Sequence, residues 1–158
     1  MGFGSSVLYL GFLGVVAYPV GRIISKFDLD PESFLFRERA WELGGKLYEK
    51  LGIKTWQTKV PDVSQVLKRW MPQKKLKAGF TRESVRTMIH ETCIAELIHD
   101  LLNIAGLRLL SLWAGAGGVV LYAVYFLLGN LPFIIVQRYN RPRLKALLKH
   151  LELKEKNR

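Results

Sequence analysis

The sequence predicts an all-α integral membrane protein of about three transmembrane helices (3–20, 84–107, 109–129) plus a cytoplasmic amphipathic helix (31–51). Three observations predict it. No charged side chain occurs from Met1 to Gly21 or from Leu109 to Gln137, and about 20 apolar residues suffice to cross the hydrocarbon core of a bilayer. The charges gather instead in blocks: residues 22–86 hold 15 Lys/Arg against 8 Asp/Glu, and residues 138–158 hold 8 against 2. Between the blocks, residues 84–107 follow helical periodicity and are greasy, yet they carry several ionisable groups. At 158 residues with a formal charge of +11, the chain makes a single membrane domain, 1–158. That charge would suit a nucleic-acid binder if spread over a soluble fold. Its segregation into blocks argues against nucleic acid and for membrane lipids as partners.

Each element has its own reasons. Pro19 and Gly21 loosen the exit from the first span. Because that span lacks a basic lead-in and is followed by Gly21-Arg22, it reads as a retained anchor rather than a cleaved signal. Residues 22–83 form a cytoplasmic or interfacial segment. Within "DPESF", Asp30 is placed to accept from free backbone N–H groups and Pro31 suits the first helical position. Phe36, Ala40, Leu43, Leu47 and Leu51 recur at steps of three and four, predicting a helix that ends at Gly52. Its Arg37, Arg39, Lys46 and Lys50 suit an anionic bilayer surface, and the same helix packed on the protein's own core is an equal reading. A loop and a short helix capped by Asp62 or Ser64 follow, then the basic linker "QKKLKAG". Thr81 opens the next helix, with Glu83 and Ser84 in its first turn.

Arg108 interrupts that helix, and 109–129 is the most hydrophobic stretch. Asn130-Leu131-Pro132 is expected to break it, since proline removes a donor and disfavours helix in the residue before it. The basic tail 138–158 is expected to be helical after Pro142. An excess of Lys/Arg marks cytoplasmic segments. Both basic blocks therefore belong inside, the two helices between them form a hairpin, and the N-terminus lies outside. Ala114, Gly115, Gly117 and Gly118 permit close helix packing. The lone Cys93 lacks a disulfide partner and reads as a small packed residue.

The chemistry concentrates in "HETCIAELIHD", residues 90–100. At about 100° per residue, Thr92, Glu96, His99 and Asn103 fall on one stripe of the helix, while His90, Glu91 and Asp100 lie off it. A charge isolated at mid-membrane costs about 2.5–3.5 kcal/mol, so the stripe implies a wet cavity, partner helices or an interfacial position. Glu96 and His99, three residues apart, suit a hydrogen bond in which the carboxylate orients the ring. General-base catalysis on a hydroxyl calls for such a pair. A polar cluster gluing helices together, or a helix lying flat at the surface, explains the stripe equally well. Glu96-x-x-His99 is also half of a di-iron motif, but no second Glu-x-x-His exists in the chain, and no metal or other cofactor is expected.

A second cluster, "NLPFIIVQRYNRPR", ends the last apolar stretch. Positive-inside anchoring explains Arg138, Arg141 and Arg143 but not Asn130, Gln137 and Asn140. Interfacial arginines also bind phosphate or carboxylate groups. In the hairpin, Glu91, Thr92 and Glu96 approach Gln137, Arg138 and Asn140, so two motifs distant in sequence share one pocket.

These residues resemble the glycosyl-4,4'-diaponeurosporenoate acyltransferase family of staphyloxanthin biosynthesis. The likeness rests on "ET" at 91–92, "AELIH" at 95–99, Asn-x-Pro at 130–132 and "IIVQRYNRPRL" at 134–144, with a weaker echo in "WQTKVPD" at 56–62. The resemblance implies a small bacterial cell-membrane enzyme that esterifies a sugar hydroxyl of a glycosylated carotenoid with a long-chain fatty acid. It implies an activated acyl donor as co-substrate, and the positive-inside charges put the site near the cytoplasmic face. In that reading His99 is the general base and Glu96 orients it. Arg138 and Arg141 hold donor phosphate or acceptor sugar, and Asn130 or Gln137 donates to a developing oxyanion. Glu91 is the third catalytic candidate, and Thr92, Asn103 and Asn140 complete the substrate pocket. This chain departs from the family's pattern at Asp100, where a tryptophan follows the histidine, and its N-terminal third carries no part of the likeness. A non-catalytic lipid-binding adaptor and a metal-dependent membrane enzyme are the alternatives.

Overall fold

The computed structural model describes residues 2–57 and 81–157. The expected loop, short helix and basic linker within 58–80 lie outside them. Among the described residues all regular structure is helical. Helix α1 (Phe3–Ile24) is followed by an irregular segment, a 3-10 turn at Ala40–Gly45, and the short helices α2 (Lys46–Lys50) and α3 (Ile53–Trp56). The long α4 (Arg82–Gly106) leads through α5 (Leu109–Leu112) to α6 (Ala116–Val124). A π turn at Tyr125–Asn130 then joins α6 to α7 (Leu131–Lys156).

Helices α4 and α7 form the backbone of the fold, packed antiparallel. Their partners descend one helix as they climb the other: Arg82 with Glu155, Arg86 with Glu152, Glu96 with Arg138, His99 with Asn130. Helix α4 starts as expected, with Thr81 and Ser84 exchanging side-chain-to-backbone bonds across the first turn. Helix α1 lies antiparallel along α4. Tyr9 Oη donates to the Ala105 carbonyl at 2.9 Å, Gly21 leaves room for Ile98, and just past α1 the Phe27 carbonyl meets His90 Nε2 at 2.8 Å.

Two described helices are long and apolar enough to cross a membrane: Phe3–Ile24 and the continuous Ala116–Lys156. Of α1 only Ser6 and Leu13 are buried, and Leu8, Phe12 and Val15 face outward. Water would penalise such a surface, and lipid does not, so the molecule is membrane-associated. Helix α4 does not meet the same test of apolarity.

Three expectations change. The helix over 31–51 does not form: Leu43, Gly44 and Gly45 all take positive φ, of 52°, 66° and 83°. A right-handed helix cannot pass through three such residues. A Cβ on Gly45 would also crowd Arg143 and Tyr139. The chain instead straps across α7, burying Tyr48 and Ile53 against Tyr139 with Trp56, Ile135 and Val136 around them. Asn130-Leu131-Pro132 does not end the helix either. A π turn absorbs the irregularity, and Pro132 falls in the first turn of α7, where a missing N–H costs nothing. The helix that begins at Leu131 then runs on through Pro142 in its interior, so the tail is helical before that proline as well as after it. Lastly, the expected helix over 109–129 is not continuous: it breaks between Leu112 and Ala116, where Gly115 takes a positive φ. The small residues around the break permit close packing as expected, since a Cβ on Gly118 would strike the backbone of Leu109 and Trp113.

Candidate active site

The polar stripe of α4 faces α7, and the two distant motifs do meet. Glu96, only 2% exposed, places one carboxylate oxygen 2.6 Å from Arg138 and the other 2.5 Å from Arg141. Arg141 donates further to Thr92 Oγ1 at 2.9 Å, to the Thr92 carbonyl at 3.0 Å and to the Phe36 carbonyl at 2.7 Å. Thr92 in turn donates to the Ile89 carbonyl.

Arg138 has a second carboxylate that sequence reasoning missed. Glu42, from the strap, accepts Nε at 2.7 Å and Nη2 at 2.9 Å, a bidentate pair. The carbonyls of Leu35 and Arg37 take two more hydrogens. With Glu96, that makes five bonds for the five hydrogens of this guanidinium. Glu42 also accepts from the Tyr48 hydroxyl and the Arg39 backbone. Burial pushes the Glu42 carboxyl upward, and the bonds from Arg138, Tyr48 and Arg39 outweigh it, holding it below the usual glutamate value. Burial and that same carboxylate push the Tyr48 hydroxyl well above its ordinary value.

Arg138 and Arg141 therefore present no free fork to a phosphate or sugar in this arrangement. The cavity beside them, between Phe36, Glu42, Arg138 and Lys145, holds about 10 Å³, room for about one water. Both arginines act here as pins that fasten the strap to the helix pair. The expected Glu96–His99 hydrogen bond is not made either, because both Glu96 oxygens face guanidinium groups.

His99 belongs to a separate arrangement about one turn further along α4. Its Nδ1 lies 2.8 Å from Asn130 Oδ1, and its ring stacks on Phe133 at 4.5 Å between centroids, 12° from parallel. Asn130 is 1% exposed, and its Nδ2 donates to the Tyr125 carbonyl at 3.2 Å across the π turn. The His99 ring is half-buried, and its Nε2 makes no hydrogen bond among the described residues. Ile98, its neighbour, packs against Gly21, the last residue of the charge-free N-terminal stretch. His99 thus sits at the level where apolar helix gives way to charged chain.

The other expected site residues are scattered. Asn103 is buried one turn beyond His99, with its side-chain oxygen unpartnered. Gln137 and Asn140 are half-buried and make no side-chain hydrogen bond among the described residues, and Glu91 points outward, exposed. Asp100 is half-buried beside His99. The signal that would have found Glu42 is the glycine pair after it in "WELGG", which marks a helix stop.

Comparison with known proteins agrees with the motifs. A family profile described as glycosyl-4,4'-diaponeurosporenoate acyltransferase matches residues 31–150, reaching further towards the N-terminus than the motifs alone. A protein of that name from Staphylococcus aureus (strain Newman) is 35% identical over 122 residues, covering 76% of this chain and 72% of that one. Another, from Staphylococcus haemolyticus (strain JCSC1435), is 34% identical over 113 residues, 70% of this chain, and the match spans 63% of that relative's length. No solved structure is similar. The chain belongs to the glycosyl-4,4'-diaponeurosporenoate acyltransferase family.

Proposed function

We propose that this chain is a bacterial membrane acyltransferase that joins a long-chain fatty acid to a hydroxyl of a glycolipid, of the glycosylated carotenoid type. The observation that carries the reading is the position of His99: half-buried, with one ring nitrogen uncommitted, at the boundary between apolar and charged helix. A glycolipid keeps its sugar at that boundary and its apolar chain below it, and so does a fatty-acyl donor with its reactive carbonyl. In this reading His99 Nε2 removes the acceptor's hydroxyl proton as the oxygen attacks the donor's acyl carbonyl. The bond from acyl carbon to leaving group then breaks, and the leaving group departs with the proton. With an activated donor the step balances without a further cofactor.

Glu96, Arg138, Arg141, Thr92 and Glu42 hold the helix pair and strap that carry this histidine. Gln137 and Asn140, uncommitted and on the face of α7 nearest the boundary, are our candidates to meet the sugar. The site lies towards the cytoplasmic face, because the basic blocks flank it there. The second half of α4, which turns Leu101, Ile104 and Leu107 outward, would with α5 make the third crossing. Comparative lipid mass spectrometry of cells with and without the gene tests the proposal. The expected result is a fatty-acyl mass lost from a glycosylated lipid on deletion. A glycolipid profile unchanged by deletion would overturn it.

A further inference from the structure

We infer that Asn130 is a positioning residue that fixes the tautomer of His99, keeping the proton on Nδ1 and a bare lone pair on Nε2. Its side-chain amide has two ends, and each has one partner. Nδ2 is the only end able to donate, and it lies 3.2 Å from the Tyr125 carbonyl, which accepts and cannot donate. That contact settles which way the amide points. Oδ1 is then the end facing His99 Nδ1 at 2.8 Å. A carbonyl-type oxygen accepts only, so the ring nitrogen opposite it must carry the hydrogen. In a neutral imidazole the other nitrogen is then unprotonated.

The π turn is what makes this possible. A wider turn loosens the regular backbone ladder, and here the Tyr125 carbonyl takes the side chain of the residue five positions on. Phe133, one turn into α7, stacks on the imidazole and restrains its rotation. The burial of Asn130, 1% exposed, separates this role from that of an oxyanion donor, since no ligand can reach its amide.

This deepens the acyl-transfer reading and rests on His99 as base, but the tautomer is measurable without any substrate. Protein labelled with ¹⁵N-histidine in lipid nanodiscs gives two-bond ¹⁵N–¹H correlations for each ring, with His99→Gln identifying its signals among His90 and His150. The expected wild-type pattern is a protonated Nδ1 and a bare Nε2. Asn130→Ala is expected to shift His99 towards the Nε2-protonated form and to lower acyl transfer about tenfold or more. Asn130→Asp, which keeps an acceptor beside Nδ1 but loses the donor to the Tyr125 carbonyl, is expected to keep the hydrogen on Nδ1. A wild-type His99 protonated on Nε2, or a pattern unchanged by Asn130→Ala, would overturn the inference. Failure of the acyl-transfer reading looks different: the tautomer holds as stated, while His99→Gln leaves glycolipid acylation at the wild-type level.

Discussion

Two polar clusters sit between α4 and α7 about one turn apart along α4, and they differ in what they leave unused. Around Glu96, carboxylates, backbone carbonyls and Thr92 take up nearly every donor of the two arginines: Arg138 makes five hydrogen bonds, and the Arg141 guanidinium makes four of a possible five. Around His99, one imidazole ring has one committed nitrogen, a stacked neighbour and one nitrogen left over. Saturation suits a fastener, because a buried charge is tolerated only when it is paired and fully bonded. A reacting group needs a lone pair not already in use. The family's motifs run through both clusters, so sequence alone gives them one status, whereas the geometry gives them two.

The largest way to break this comparison is to remove the shared counter-charge. Glu96→Gln leaves the buried Arg141 and Arg138 without their common partner, and we expect a loss of about 3–5 kcal/mol. Denaturant unfolding in micelles, followed by circular dichroism, checks it. A loss under about 1 kcal/mol would mean that the cluster does not fasten the fold.

Glu42→Gln should cost less, about 1–3 kcal/mol, since the amide still accepts some of the bonds made to the carboxylate. It should also change the pH response. The folded Glu42 carboxyl titrates below its ordinary value, so its contribution is complete above the unfolded value of about 4.3. That contribution fades as the pH falls through the folded value. The gap in unfolding midpoints between wild type and variant at neutral pH should therefore narrow as the pH falls below about 4.3. A gap that widens on acidification would contradict the assignment.

Leu43 tests the strap itself. Its side chain is exposed and its φ is positive, so Leu43→Gly should gain about 0.5–1 kcal/mol by relieving left-handed strain, net of glycine's entropy. Destabilisation in lipid but not in detergent would mean instead that the leucine is buried in the bilayer. The smallest effect belongs to the outer end of the helix pair. There Arg82–Glu155 is largely solvent-exposed, and a double-mutant cycle should return the weakest coupling of these tests, because water screens the pair.

Charge-free runs and the Thr81 cap were legible in the sequence because each depends on residues close together. The approach of Glu96 to Arg138 was legible too, once a hairpin was assumed, but Arg141 takes the place expected of Gln137 and Asn140. The strap was not. Steps of three and four from Phe36 to Leu51 imitate a helix, and Gly44-Gly45 carried the contrary information. Nor was the division of labour visible. Glu96 and His99 lie three residues apart and can bond in an isolated helix, so only the positions of α7 and the strap decide that the arginines take the carboxylate. Asn130 read as the residue before a leucine and a helix-breaking proline, and its buried amide emerges only from the π turn.

The central claim is that His99 reacts while the arginine cluster holds. Its most direct test is the yield of acylated glycolipid per folded protein in membranes carrying His99→Ala. The account predicts a loss of about 10²-fold or more, with folded protein near the wild-type level. Wild-type product per folded protein would contradict it.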